Sequence, residues 1–269
     1  MTELSDSSDA AVSSDPLCGK TALVTGASRG IGASVARRLA AAGADVAVNY
    51  RTKGARAQAV AAAIEAFGRR SLLLQADITC PADLASMFDQ IKNAWGSLDV
   101  LVLNASGGLE KDKPAGYAMQ LNLDAQVNLV KRALPLMQPG GRIVFVTSHL
   151  AHFSETKPAY DGYEPVARSK KAGEDALRSM MPELDELGIR LVVVSGDLIE
   201  GTITPRLLQR QSPGLIEERR REAGSLPDVE EFAAAIVDAV TGAEYASGTT
   251  IYVGSTEWGD PDRGSPVSS

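Results

Sequence analysis

Residues 21–32 have the sequence TALVTGASRGIG, in which a short apolar and β-branched run is followed at once by closely spaced glycines. A continuous run of this kind is typical of a strand that is covered on both faces of a sheet. Gly26 and Gly30 allow a tight turn, and Gly32 allows the following helix to pack closely on the strand. The N-terminus of that helix presents free N–H groups and a partial positive charge, so the unit predicts a phosphate-binding turn.

The rest of the chain alternates short strand-like runs with longer stretches of helical periodicity, which predicts a parallel sheet with helices on both faces. No internal repeat and no change of composition indicates a second domain. We therefore predict a single doubly wound α/β domain of the Rossmann type over residues 18–256. The predicted strands are 21–25, 45–49, 71–75, 100–103, 142–147, 189–194 and 249–253. The predicted helices include one at 117–135 and one at 164–187.

Composition excludes several other classes of protein. The 269 residues carry 27 basic and 34 acidic side chains, a net charge of −7 without a basic stripe, which argues against nucleic-acid binding. Two cysteines, Cys18 and Cys80, indicate a reducing compartment. No run reaches the ~18 apolar residues of a membrane span. We expect a cytoplasmic protein with a disordered leader at 1–17 and a flexible tail at 257–269.

The motifs along the chain resemble those of the short-chain dehydrogenase/reductase family. Thr25 precedes a Gly-x-x-x-Gly-x-Gly turn, Asp77-Ile78 follows the third strand, and Asn104-Ala105-Ser106-Gly107 follows the fourth. The resemblance implies that Asp77 and Ile78 lie at the adenine and that Asn104 and Ala105 lie along a nicotinamide cofactor. Ser106 stands where the family usually has glycine. The remaining predicted cofactor residues are Gly26, Ser28, Arg29, Gly30, Ile31, Gly32, Asn49, Tyr50, Arg51, Ser106, Lys170, Gly196 and Thr202.

The end of the second strand predicts the type of cofactor. A site for NAD usually has an acidic residue there, which binds the ribose 2′-hydroxyl. This chain has Asn49-Tyr50-Arg51 instead, and Arg29 lies in the glycine turn. Guanidinium groups suit a 2′-phosphate, so the sequence favours NADP(H).

The predicted catalytic residues keep most of the family pattern and depart from it at one position. The resemblance implies that Ser148, Asn122 and Lys170 match the catalytic serine, the asparagine of the water relay and the lysine. The tyrosine of the family's Tyr-x-x-x-Lys motif is replaced by Val166, and the nearest phenol is Tyr163. Seven helical residues separate Tyr163 from Lys170, a rise of about 10.5 Å, which is too far for direct pairing.

Several hypotheses remain open from the sequence alone. The proton for the product alkoxide comes from Tyr163, or from water, the substrate, His149 or His152, or the chain binds its cofactor without turnover. We expect a ketone reductase acting on a hydrophobic or polycyclic aromatic small molecule, with residues 203–224 forming a lid. The alternatives are an epimerase or dehydratase on the same scaffold, and a silent NADP(H)-binding sensor or scaffold. The family resemblance also implies a homodimer or homotetramer.

Overall fold

A computed structural model describes residues 15–110 and 113–257 of the chain. Most of the predicted leader and nearly all of the predicted tail lie outside the described residues. Within them, the short segment before the first strand is held by a hydrogen bond from the backbone of Leu17 to Ala42 O, at 2.9 Å.

The described chain forms one seven-stranded sheet in the order β3-β2-β1-β4-β5-β6-β7, and every neighbouring pair is parallel. The strand order reverses between β1 and β4, which opens a crevice at the carboxyl ends of these two strands. The predicted doubly wound α/β fold is confirmed. The strands are β1 (Thr21–Val24), β2 (Asp45–Tyr50), β3 (Ser71–Gln75), β4 (Val100–Leu103), β5 (Arg142–Ser148), β6 (Arg190–Gly196) and β7 (Thr250–Val253).

Helices cover both faces of this sheet and bury its apolar side chains in two large clusters. One cluster packs α1 (Gly30–Ala41), α2 (Gly54–Glu65) and α11 (Val229–Thr241) on the sheet. The other packs α3 (Pro81–Trp95), α5 (Ala125–Ala133), α7 (Glu164–Ser179) and α8 (Met181–Glu186) on the opposite face. The strands are buried on both faces, which explains their continuous apolar runs.

Two predicted helices are interrupted in the structure. The helix predicted at 117–135 consists of α4 (Tyr117–Met119), a π-helical turn (Gln120–Asp124), α5 and a 3₁₀ turn (Leu134–Leu136) that contains Pro135. The helix predicted at 164–187 breaks at Met180, and Pro182 lies in the first turn of α8. Proline lacks the N–H that a continuous helix needs, which explains why α5 ends before Pro135 and why α7 ends before Pro182. The π-helical turn has no such signal in the sequence.

The segment predicted as a lid forms α9 (Ile203–Gln211) and α10 (Leu215–Ala223), separated by Ser212-Pro213-Gly214. These helices and the short α6 (His149–His152) enclose a third apolar cluster near the carboxyl ends of β5 and β6. Its buried members are Leu150, Ala151, Tyr163, Val166, Ala167, Leu198, Leu208 and Leu226.

Candidate active site

The glycine turn between β1 and α1 has the geometry of a phosphate cradle. Gly26 and Gly30 have positive φ angles of 65° and 54°, which L side chains rarely adopt. A Cβ on Gly32 would stand 2.5 Å from Asn104 Nδ2 and 2.7 Å from Gly26 O, so only glycine fits at this crossing. The side chain of the N-cap residue Arg29 makes no capping hydrogen bond, so the first N–H groups of α1 are available to a ligand.

Polar side chains from the neighbouring strands hold this turn in place. Asn49 is buried, accepts a hydrogen bond from Gly26 N at 3.2 Å, and donates to the carbonyls of Leu74 and Ala76. Asn104 Nδ2 donates to Thr25 O at 2.9 Å. The sequence predicts that both asparagines contact the cofactor, and the structure shows that both support the backbone of the glycine turn.

A basic cavity of about 350 Å³ lies beside the glycine turn. Ser28, Arg29 and Gly30 form one wall, and Arg37 and Arg56 contribute two further guanidinium groups. The uncapped helix end, the open space around Gly30 and three arginines together fit the phosphate groups of a dinucleotide. Arg56 was missed from the sequence, although it lies in the first turn of a helix that begins just after Arg51.

Arg51 lies apart from this cavity. Its Nη1 donates to Tyr117 Oη at 2.6 Å and stands 3.8 Å from Asp77 Oδ2. Asp77 also accepts hydrogen bonds from the backbone and hydroxyl of Thr79, at 3.0 and 2.7 Å. Partial burial acts to raise the pKa of Asp77, but these hydrogen bonds and Arg51 outweigh it and the pKa is lowered. The predicted pair of phosphate-binding arginines, Arg29 and Arg51, is therefore not brought together on one cavity.

The other predicted cofactor residues line the same end of the sheet or lie just behind it. Ile78 and Gly196 are buried, Ser106 is exposed, and Tyr50 and Ala105 are half-buried. Thr202, before α9, donates its hydroxyl to Ile199 O at 2.8 Å. Direct contacts of these residues with a cofactor stay predictions.

The predicted serine and the displaced tyrosine meet in the structure. Ser148 is the last residue of β5, and Tyr163 immediately precedes α7. Their hydroxyl oxygens are 3.2 Å apart. Pro165 in the first turn of α7 sets the start of this helix, as its position predicts. Tyr163 is only 3% exposed, and burial raises the pKa of its phenol despite the hydrogen bond with Ser148.

Lys170 lies two turns further along α7 and does not pair with Tyr163. Its side chain is 9% exposed and makes no hydrogen bond or ion pair with any residue that the structure describes. Burial lowers the pKa of its ammonium group to about 8. Val166, at the position of the family's tyrosine, is buried in the apolar cluster beneath the lid.

Asn122 lies in the π-helical turn and is buried. Its Nδ2 donates to Gly107 O at 2.9 Å and to Ser169 Oγ at 3.0 Å. The backbone carbonyl oxygen of Asn122 packs against Gly173 of α7. A Cβ added at Gly173 would stand only 2.0 Å from this oxygen. The asparagine thus joins the loop after β4 to the helix that carries Lys170.

The two histidines are engaged elsewhere in the protein. His149 is buried, and its Nδ1 lies 2.8 Å from Ser195 Oγ. Burial lowers the pKa of His149 to about 4, so it is neutral at physiological pH. His152 Nδ1 and Nε2 lie within hydrogen-bond distance of Glu174 and Tyr252. The structure therefore does not support either histidine as the proton donor beside Ser148.

A buried ion pair fastens the predicted lid to the sheet. Arg219 of α10 is 1% exposed and donates three hydrogen bonds to Asp197, which follows β6, at 2.7 to 3.1 Å. Its guanidinium also donates to the carbonyls of Ser255 and Glu257, which follow β7. Arg219 lies in a run of charged residues, and nothing in that run indicates that this side chain points inward.

The fold and site together define a nicotinamide-dependent oxidoreductase of the Rossmann class. Residues 20–211 match the family described as short chain dehydrogenase. Because this match covers most of the chain, the protein belongs to the short-chain dehydrogenase family.

Relatives and solved structures agree with this membership. The chain is 34% identical over 207 residues to a hydroxynaphthalene reductase of Aspergillus fumigatus, covering 74% of this chain and 73% of that one. A short chain dehydrogenase from Burkholderia cenocepacia in complex with NADP superposes with a TM-score of 0.76, 32% identity, and coverage of 88% and 97%. An angucycline C-6 ketoreductase with bound NADP gives a TM-score of 0.74, 31% identity, and coverage of 90% and 96%.

Two features are absent from residues 15–110 and 113–257. No helix in this part of the chain is both long and apolar enough to cross a membrane. The same residues contain no group of three or more His, Cys, Asp or Glu side chains that could hold a metal ion.

Proposed function

We propose that the protein is an NADP(H)-dependent reductase of a hydrophobic ketone, in which Ser148 and Tyr163 serve the reacting oxygen. The observation that carries the proposal is the contact between these two hydroxyl groups at the carboxyl end of β5, near the crevice beside the glycine turn. Ligands of such sheets bind beyond the carboxyl ends of the strands. A carbonyl oxygen at Ser148 would lie against donors that stabilise its developing negative charge.

When bound, the cofactor would supply a hydride to the carbonyl carbon. Residues of this chain would hold the cofactor and provide the proton. The turn at Gly26, Gly30 and Gly32 would hold the pyrophosphate, with Arg29 and Arg56 on the 2′-phosphate side. Lys170, which is buried and pairs with no carboxylate among the described residues, would hold the nicotinamide ribose. The proton that completes the alcohol comes from the Ser148–Tyr163 pair, because both histidines are bound elsewhere.

The apolar cluster beneath α9 and α10 supports a greasy or fused-ring substrate. Leu150, Leu198 and Leu208 are buried beside Tyr163, and Leu215 and Ile216 of α10 pack on them. A site walled in this way favours flat apolar molecules through their desolvation. The names of two similar proteins, the hydroxynaphthalene reductase and the angucycline C-6 ketoreductase, also specify fused rings. The relevant assembly is a homo-oligomer, in keeping with the family.

The test combines cofactor binding with a panel of fused-ring ketones followed by NADPH absorbance. We expect tight NADPH binding, ketone-dependent oxidation, and a loss of roughly 10²-fold or more in rate for Ser148→Ala. An epimerase or dehydratase would consume substrate without net NADPH oxidation. NADPH binding without turnover over the whole panel would contradict the proposal and favour the sensor hypothesis.

A further inference from the structure

The two hydroxyl groups of the Ser148–Tyr163 pair differ in their access to the cleft. Tyr163 is 3% exposed, and the only hydrogen-bond partner of its phenol among the described residues is Ser148. Ser148 is half-buried at the end of a strand that borders the crevice. A substrate entering the crevice can therefore touch the serine hydroxyl, whereas the phenol lies behind it.

Among the described residues, the phenol of Tyr163 has no hydrogen-bond partner other than Ser148. Its side chain belongs to the apolar cluster that includes Leu150, Val166 and Leu208. Lys170 makes no hydrogen bond to it, and His149 and His152 are committed to Ser195, Glu174 and Tyr252. Within the described chain, the hydrogen bond to Ser148 is the one link between this phenol and another polar group.

We propose that Ser148 is the immediate proton donor to the product oxygen and that Tyr163 acts through Ser148 as its proton reserve. This inference rests on the proposed ketone reduction. The carbonyl π bond breaks as its carbon accepts the hydride from NADPH. The oxygen then takes the proton of Ser148 Oγ, while Ser148 Oγ takes the proton of Tyr163 Oη.

The phenolate that remains on Tyr163 is reloaded along the same path. After the alcohol leaves, water in the crevice gives a proton to Ser148, and Ser148 passes a proton to the phenolate. Burial makes the phenolate a strong base, since it raises the pKa of Tyr163, so reloading is downhill at neutral pH. The sum of the cycle is one hydride from NADPH and one proton from water added to the ketone.

A proton inventory tests the relay, with the rate of hydride transfer measured in mixtures of H₂O and D₂O. We expect a curved dependence on the deuterium fraction in the wild-type protein, because two protons move together. Tyr163→Phe should lower the rate about 10²-fold, within the range of general acid catalysis, and leave a linear dependence. Ser148→Thr keeps a hydroxyl and should keep the curve, whereas Ser148→Ala should abolish catalysis.

A second measurement does not depend on turnover. NMR of tyrosine labelled with ¹³C at Cζ, assigned with Tyr163→Phe, reports how fast the Tyr163 hydroxyl exchanges its proton with water. We expect Ser148→Ala to slow this exchange at least tenfold. Equal exchange rates in the wild-type protein and Ser148→Ala would overturn the relay.

The possible failures point to different conclusions. A wild-type protein that oxidises no NADPH with any ketone contradicts the proposed function itself. A working reductase whose Tyr163→Phe variant keeps the full rate and an unchanged inventory contradicts only the relay, and places the proton source in water or the substrate. The relay is also overturned if Tyr163→Phe lowers the rate but the wild-type rate depends linearly on the deuterium fraction, because only one proton then moves in the transition state.

Discussion

Lys170 is buried and forms no ion pair with an anionic group in the described chain. Burial lowers its pKa from 10.5 to about 8, so the folded protein holds the proton less tightly than the unfolded chain. Such a shift corresponds to a stability penalty of about 3 kcal/mol at neutral pH. A residue kept at this cost fits a functional role better than a structural one.

We predict that Lys170→Met raises the free energy of unfolding at pH 7 by about 1–3 kcal/mol while weakening NADPH binding. Because the unfolded chain binds more protons between pH 8 and 10.5, wild-type stability rises relative to the variant as pH increases through this range. Urea unfolding at pH 7 and pH 10 measures both effects. A variant that is less stable than wild type at pH 7 would contradict the burial penalty.

The position of Tyr163 along the chain can be predicted from the sequence, but its contact with Ser148 cannot. The sequence predicts that Tyr163 lies at the start of a helix containing Pro165, and the structure places it immediately before α7; that Val166 occupies the family's tyrosine position stays a prediction. Sequence alone does not predict that the Tyr163 hydroxyl reaches Ser148, because that distance depends on how α7 packs against β5. Side-chain direction at a helix start is set by tertiary contacts rather than by spacing.

The contact between the π-helical turn and α7 leaves no room for a side chain at Gly173. We predict that Gly173→Ala destabilises the protein by about 1–3 kcal/mol, because its Cβ would stand 2.0 Å from Asn122 O. The change should also displace Asn122 from Gly107 and Ser169, and so weaken NADPH binding. Thermal or urea unfolding and NADPH titration measure the two effects.

Gly54→Ala is the matched control for this substitution. Gly54 begins α2, and its added Cβ would make only ordinary contacts with Tyr50, at 3.7 and 3.8 Å. Alanine is the better helix former by roughly 0.5–1 kcal/mol, so this control should be neutral or stabilising. If both substitutions change the free energy of unfolding equally little, the π-helical turn moves to accept the new Cβ without loss of stability.

The lid helix α10 depends on its buried ion pair. We predict that Arg219→Met lowers the free energy of unfolding by about 3–5 kcal/mol, because it leaves the buried Asp197 carboxylate unpaired. The double variant Arg219→Met with Asp197→Leu should recover most of that loss. Trypsin cleavage at Arg206 and Arg210 of α9 should quicken in the single variant, which mass spectrometry reports. Unchanged cleavage would mean that the ion pair does not hold the lid.

The elements differ in how well the sequence predicts them. The strands follow from their apolar runs, because burial on both faces of a parallel sheet leaves a strong pattern; β5 and β6 extend one or two residues beyond prediction. The interruption at Asn122 does not follow, since a π-helical turn has the same composition as a helix. The inward turn of Arg219 does not follow either, because its partner Asp197 is 22 residues away in the chain.

The whole molecule carries a net charge of −7, yet its glycine turn is basic. A local positive field on an acidic protein attracts anionic ligands to one place and weakens as salt increases. We expect the charges at this turn to set the preference between NADPH and NADH. Arg29 and Arg56 line the cavity, whereas Arg51 is held by Tyr117 and Asp77.

We predict that Arg29→Ala with Arg56→Ala lowers NADPH affinity about 10²–10⁴-fold and leaves NADH affinity within about twofold, because the two lost charge-assisted hydrogen bonds to a phosphate contribute about 1.5–3 kcal/mol each. Arg51→Ala should have the smaller effect, and the exposed Arg132→Ala serves as the control. Fluorescence titration at low and high salt measures the dissociation constants. If Arg51→Ala costs more than the double variant, the 2′-phosphate binds at the end of β2, where the sequence predicts it, and the cavity beside Arg56 has another role.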